Sequence, residues 1–369
     1  MSQQHFASQI AKTGFLLENQ IAQHLKAAKW TVISNRYYVD DAEESVREID
    51  LIAYQATRVQ QFDVYTTLII SCKKSESNAW ALLARDLDIK DPNTDWQPLH
   101  AWSNDKALAY QLSGTGCARR YHKEVKQLGV DEPLQLPGVE VFAFQEMNKT
   151  SGAPQNDKSI FAAVTSLMKA QAYELSSLPQ RKKTAAVYQF NLLSVVDTDL
   201  IRLMFSGQAV TPTKVESEHY IARYIIKKRE TFSRIRFLTA SAFATALPDY
   251  GTLHAANCRW FATECDSFYA NPIEDDKKTA VLLDEFRKAV SWHIRWPLIR
   301  EGRKAPDTSS LSLYWNAKTR VLNIYSSLNA EDAKIVNDDA EATKGIGEAL
   351  KKTYRFFGAF KVDDDDIPF

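Results

Sequence analysis

Two neighbouring runs of the chain place a charge where a β-strand leaves little room for one. Arg47-Glu48-Ile49-Asp50-Leu51-Ile52-Ala53 is apolar around Asp50, and Leu68-Ile69-Ile70-Ser71-Cys72-Lys73 is apolar until it ends on Lys73. A carboxylate or ammonium embedded in such a run has to be paired, hydrated or metal-bound, because burying it bare is strongly unfavourable. Alternate side chains of a strand share a face, so Glu48 points the same way as Asp50, and Ser71 the same way as Lys73. If the two runs lie side by side, four polar groups converge on one patch of a largely covered sheet.

The flanking pattern supplies the rest of such a sheet. Phe15, Leu17, Ile21, Ala22 and Leu25 recur near a 3.6-residue period, which predicts an amphipathic helix over 14–30. Strands follow over 30–39, 47–54 and 64–72, with polar turns at 39–44 and 55–63, the order of a meander. After Lys74 the chain is rich in Trp, Asp, Asn and Pro (Trp80, Asp91-Pro92, Asp95-Trp96, Trp102), and it reads as irregular with short helices. Further on, a strand is expected over 138–144, a helix over 156–178, and a hairpin of 187–196 with 200–205 about Asp197-Thr198-Asp199. Strands over 220–226 and 235–240 come next, then helices over 253–268, 278–292 and 340–356, with turn-like breaks at 131–138 and 271–276. The sum is an α/β fold with a mixed sheet, helices on both faces and a helical C-terminal extension. Its expected divisions are 1–130 for the core, 131–360 for the continuing sheet and helices, and 361–369 for an acidic tail.

Charge gives no global hint of a partner, since Lys plus Arg and Asp plus Glu both total 46; a polyanion would have to be met by local patches. Candidates that could track phosphates are Arg119 and Arg120, with Lys123 and Lys126 at helical spacing, and Lys182 and Lys183. Arg181, beside Lys182, and the basic positions at 227–229, 234 and 236 are further candidates of the same kind. Cys72, Cys117, Cys258 and Cys265 are scattered without the spacing of a zinc site and read as reduced thiols. Alternation turns Cys72 away from Lys73, against a role as nucleophile. Met1 to Lys12 is polar and no run approaches a membrane span, so the expectation is a cytoplasmic protein with no membrane partner.

With Glu18 facing inward from the first helix, Asp50 in an "(R)xxD" strand and Lys73 closing the next strand, these residues resemble the PD-(D/E)XK nuclease superfamily, particularly its Mrr-like members. The resemblance covers 14–80 best and implies a restriction-endonuclease-like core acting on DNA, in bacterial DNA defence or repair. It implies Mg²⁺ or Mn²⁺ held by Asp50 with Glu18 or Glu48, Lys73 orienting the attacking water, and it admits a homodimer. The chain departs from the pattern at Ser71, where the family carries an acid. A hydroxyl is a far weaker ligand for a hard cation than a carboxylate, so Glu48, Glu18 or Glu76 would have to replace it, Glu48 being best placed by alternation. The competing expectation is a non-catalytic binding or decoy module in which Ser71 lines the site without charge.

The last residues, Lys361-Val362-Asp363-Asp364-Asp365-Asp366-Ile367-Pro368-Phe369, resemble the C-terminal tip of bacterial single-stranded-DNA-binding proteins, although nothing else in the chain resembles their fold. That likeness implies docking through Asp365, Asp366, Ile367, Pro368 and Phe369 on proteins whose pockets accept such a tip. Phe369 would fill the pocket and the acids would steer towards its basic rim.

Overall fold

The computed structural model describes residues 3–40 and 44–364, with the side chains of 3–5 set aside. Helices α1 (Gln3–Ile10) and α2 (Gly14–Ala27) lead into strands β1 (Thr31–Val39), β2 (Val46–Val59), β3 (Phe62–Lys74) and β4 (Asn78–Arg85). An irregular stretch reaches β5 (Ala101–Ser103), α3 (Lys106–Ser113) and α4 (Cys117–Gln127), then β6 (Glu140–Asn148) and the long α5 (Lys158–Arg181). Strands β7 (Ala186–Asp197), β8 (Leu200–Ser206), β9 (Ala209–Val215), β10 (Ser217–Ile226) and β11 (Arg229–Thr239) follow. The chain continues through α6 (Ala240–Tyr269), α7 (Asp276–Arg300), β12 (Ser312–Asn316), β13 (Val321–Tyr325), α8 (Ala330–Asp338), α9 (Ala340–Tyr354) and β14 (Ala359–Asp363). The class is mixed α/β, and among the described residues no helix is long and apolar enough to cross a membrane.

The chain divides into two compact units, one of residues 1–105 and 114–262, the other of 106–113 and 263–369. The break expected at residue 130 falls inside the first unit. That unit is built on a mixed sheet in the order β1-β2-β3-β7-β11-β10, with β5 paired beside β7. The meander β1-β2-β3 is antiparallel, whereas β3, β7 and β11 run parallel. A parallel neighbour needs a crossover connection, and between β3 and β7 that connection includes α5. Its apolar stripe, Ile160, Ala163, Val164, Leu167 and Met168, packs in one core with Ile52, Ile69, Phe190 and Leu192 of the sheet. Helix α2 buries Leu17, Ile21, Ala22 and Leu25 and packs against β1, β2 and β3.

A second sheet, β6-β4-β8-β9, grows from the first at a corner. Strands β3 and β7 are a parallel pair up to Lys74 and Asp197, and β4 and β8 resume as a parallel pair from Trp80 and Leu200. The bend is held by Ser75 N–H to the Asp197 carbonyl (3.3 Å), Trp80 N–H to the Asp199 carbonyl (2.9 Å) and the Thr198 hydroxyl to the Asn78 carbonyl (2.5 Å). The hairpin expected about Asp197-Thr198-Asp199 is therefore a sheet-switching corner. Its tight polar turn has the composition of a hairpin, but each arm finds its partner elsewhere. Trp80, expected in an irregular segment, lies in β4 and is buried against Phe237.

Three further differences have local causes. The polar stretch 55–63, expected as a turn, is mostly strand, and β2 and β3 meet in a two-residue connection at Gln60-Gln61, with Gln60 at φ +50°. Its polar residues sit on an outlying, solvated part of the sheet. Strand β9 has no apolar alternation and contains Pro212, which an edge strand tolerates. Helix α6 begins well before residue 253 despite Pro248, because Phe243, Leu247, Tyr250 and Leu253 are buried along it and packing outweighs the proline.

The second unit packs α3, α7, α8 and α9 with the three-stranded sheet β12-β13-β14. Its core includes Phe286, Val290, Ile294, Leu322, Ile346 and Tyr354. Helices α7 and α9 meet at Gly345, where any Cβ would overlap the His293 ring. All four cysteines of the chain are free.

Candidate active site at the Asp50 end of the sheet

Asp50 sits between Ile49 and Leu51, both buried, where the ladder of β2 with β3 ends at the pair Leu51 and Ile70. Just beyond that pair the Cys72 amide donates to Asp50 Oδ2 at 2.6 Å, and the Ser71 hydroxyl and Lys73 Nζ approach the same oxygen at 3.3 Å each. The strand alternation thus brings Asp50, Ser71 and Lys73 together. The carboxylate is held by a backbone amide, a neutral hydroxyl and one ammonium.

Glu48 lines a cavity of about 400 Å³ together with Asp50 and Lys73. Its position is set by Asn35, whose side-chain amide donates to Glu48 Oε1. Asn35 interrupts β1 between the pairs Ser34 with Leu51 and Arg36 with Ile49, and adopts φ +53°. Asn is one of the few residues other than glycine that visit this left-handed region readily, and local backbone irregularities of this kind gather at functional sites.

Glu18 approaches from α2. Burial raises its carboxyl above the ordinary range; the Asp50 carboxylate raises it further, Lys73 opposes that, and Glu48 adds to the rise. Three carboxylates and one ammonium therefore share one electrostatic neighbourhood. The donor chemistry fits a hard cation, since the candidate protein ligands are carboxylate oxygens and crowded carboxylates are what such an ion relieves. Among the described residues, no group of three or more His, Cys, Asp or Glu is arranged to hold a metal. A site of this composition would lean on one or two carboxylates plus water and substrate oxygens, as Mg²⁺ sites commonly do.

The opposite wall contains residues that sequence reasoning passed over. Lys169, on α5, donates to both oxygens of buried Asp40 at 2.9 and 2.8 Å, and Arg47 lies 3.8 Å from the same carboxylate. Tyr38 lines the cavity beside them, its hydroxyl pushed up to about 12 by burial and then by Asp40. Lys169 had a readable signal, a lone cation amid Val164, Leu167, Met168 and Ala170; Asp40 and Asn35 had none beyond being polar. The Cys72 thiol is buried and pushed well above its usual range, first by burial and then by Asp50, which fits its exclusion as a nucleophile.

The basic candidates lie elsewhere. Arg119, Arg120 and Lys123 are on α4, where Arg119 and Lys123 line a separate cavity of about 570 Å³ with Lys126. Lys182 caps the C-terminal end of α5, with Nζ 2.8 Å from the Tyr65 hydroxyl and 3.6 Å from Asp63, and Lys183 follows it. Neither group lines the Asp50 cavity. The docking residues Asp365, Asp366, Ile367, Pro368 and Phe369 lie outside the described residues. Comparison of the chain with family models, with curated proteins and with solved structures gives no significant match.

Proposed function

We propose that this protein is a metal-dependent deoxyribonuclease of the PD-(D/E)XK type, in DNA defence or repair, acting at the Asp50 cavity. The observation that carries the reading is the convergence of Asp50 and Lys73 from adjacent strands at 3.3 Å, in a cavity that Glu48 also lines. The order α2, β1, β2, β3, with Glu18 near the site and a parallel β7 after α5, supports a restriction-endonuclease-like core.

Asp50, with Glu48 or Glu18, would hold Mg²⁺ or Mn²⁺, which when bound polarises the phosphodiester and acidifies a water. Lys73 is poised to orient the attacking water and to offset charge that develops on the phosphoryl oxygens. Asn35 fixes Glu48, and the Cys72 amide fixes Asp50, so both carboxylates are oriented before substrate arrives. Ser71 is fully buried and contributes a hydrogen bond to Asp50 and no charge. Arg119, Arg120, Lys123, Lys182 and Lys183 would contact DNA phosphates.

Ser71 also favours a second reading, a catalytically silent DNA-binding or decoy module whose tail engages partner proteins, because the Lys73 ammonium already offsets the Asp50 charge. Metal titration followed by cleavage of single- and double-stranded DNA separates the two. The nuclease reading expects divalent-metal binding and Mg²⁺- or Mn²⁺-dependent cleavage, both lost in Asp50→Asn. Failure of the wild type to bind metal and to cut either substrate would sink it.

A further inference from the structure

A second cavity of about 240 Å³ adjoins α5 towards its C-terminal end, lined by Tyr54, Tyr65, Tyr188, Arg36, Arg181 and Lys182 among others. Tyr65 and Tyr188 stack in parallel with centroids 4.2 Å apart, and Tyr54 tilts against Tyr65 at 5.6 Å. The wall is thus a bank of aromatic rings spread over β2, β3 and β7. Above it are cations. Arg36 and Arg181 grip the two oxygens of Glu174 at 3.1 and 2.5 Å, and Lys182 meets the Tyr65 hydroxyl. Each arginine carries five N–H donors, so one carboxylate shared between the two leaves donors over, and both side chains are partly exposed.

Its position relates it to the Asp50 cavity. Glu48, Asp50, Ile52 and Tyr54 alternate onto one face of β2, and Tyr65, Ile69, Ser71 and Lys73 onto one face of β3. Both cavities take residues from β1, β2 and α5: Tyr38, Asp50 and Lys169 at one end, Ile33, Tyr54 and Glu174 at the other. At about 3.3 Å per residue, Tyr54 lies roughly 13 Å along the strand from Asp50. A volume of about 240 Å³ equals roughly eight waters at about 30 Å³ each, room for one planar heteroaromatic ring.

We infer that this cavity is a nucleobase subsite: a single-stranded nucleic acid lies along β2 and α5, one base stacks on the bank of Tyr54, Tyr65 and Tyr188, and Arg36, Arg181 and Lys182 take the adjoining phosphate. Aromatic faces accept any base, while the cations supply the complement to the backbone charge. The inference rests on the nucleic-acid reading of the neighbouring site and requires no cleavage.

The test is fluorescence anisotropy with the full-length protein in EDTA, which removes metal-dependent cutting, using a short labelled oligothymidylate and the same length of abasic deoxyribose phosphate. The intact strand is expected to bind roughly tenfold more tightly than the abasic one, the size of one base–aromatic stack. Tyr188→Leu should erase that preference without weakening abasic binding, and Tyr188→Phe, which keeps the ring, should restore it; Tyr54→Leu gives the same readout at the rim if Tyr188→Leu fails to fold. Equal affinity for the two strands, or a wild type that binds neither, overturns the inference. Base-dependent binding by a protein that never cleaves with Mg²⁺ or Mn²⁺ would retain the subsite and discard the nuclease; cleavage by a protein with no base preference would do the reverse.

Discussion

Asp40 and Asp50 line the same cavity and each meets a lysine, but their surroundings differ. Asp40 is 4% exposed at its side chain, and Lys169, 12% exposed, grips both of its oxygens. Asp50 is 19% exposed and Lys73 34%, and the ammonium reaches one oxygen that the Cys72 amide and Ser71 also approach. The first pair is sealed between β1 and α5, so neither charge can be spared without stranding the other in a poorly hydrated place. The second is open to solvent, where a change of partner costs less. One wall of the cavity is scaffold, and the other is available for chemistry.

Removing each lysine should separate these roles most sharply. Lys73→Met is expected to lower DNA cleavage by about a hundredfold or more, as loss of a positioned catalytic group does, and to change folding stability by less than about 1 kcal/mol, since the pair is partly solvated. Lys169→Met should destabilise the fold by about 3 kcal/mol by removing the ammonium that grips both oxygens of buried Asp40. Urea denaturation beside a cleavage assay reads both. Similar stability losses from the two variants would break the distinction.

The scaffold class includes neutral buried histidines, which acid should expose. His219 is held down to about 3 and His122 to about 4, in both cases first by burial, with Arg234 adding to it. Both are neutral in the fold and take a proton in the unfolded chain as pH drops below about 6.5. Their contribution is complete above 6.5 and is lost as pH falls through the window down to those depressed values. The expected slope is up to about 1.4 kcal/mol per pH unit for each histidine. Denaturation series between pH 7 and 4 should show His219→Gln with a shallower slope than the wild type; parallel slopes would remove His219 from the scaffold.

What the sequence disclosed follows the same division. Asp50 and Lys73 were legible because a charge inside a β-branched run contradicts its surroundings, and alternation then gave the shared face with Ser71. Helix α2 and strands β1, β2 and β3 were legible for the usual reason, an apolar period, whereas α1 lies in a run that reads only as polar. Asn35, Asp40 and Lys169 were not, because their meaning depends on pairing between residues far apart in the chain, which no local period encodes. The corner at Asp197-Thr198-Asp199 was opaque for a related reason, since a tight polar turn looks alike whether its arms pair with each other or part to join separate sheets.

Ser71 permits a direct sharpening of the open wall. Ser71→Glu introduces the acid that the proposed PD-(D/E)XK reading would place there, in a fully buried position beside Asp50. Without metal the added charge should lower the melting temperature by several degrees, the response to about 1–2 kcal/mol. Millimolar Mg²⁺ should recover most of that loss and tighten metal binding relative to the wild type, because a ligand that binds only the folded state stabilises it. A melting temperature that stays depressed in Mg²⁺ would mean that the pocket next to Asp50 holds no cation.

The smallest effect distinguishes the two acids left to help Asp50. The Glu18 carboxyl is raised in the fold, first by burial and then by Asp50, so at low pH, with both states protonated, it contributes nothing. As pH rises past the ordinary glutamate range the unfolded chain ionises first, and a penalty on the fold grows until pH exceeds the raised value. Glu18→Gln removes that penalty. In EDTA the variant should match the wild type below about pH 4 and become slightly the more stable at neutral pH, the gap opening across the intervening window. Mg²⁺ should reverse the trend if Glu18 is a ligand, since the bound cation favours the ionised carboxylate that the variant lacks. Thermal melts of both proteins at pH 7, with and without Mg²⁺, decide it: a gap that Mg²⁺ leaves unchanged assigns the second carboxylate to Glu48, which Asn35 already holds in place.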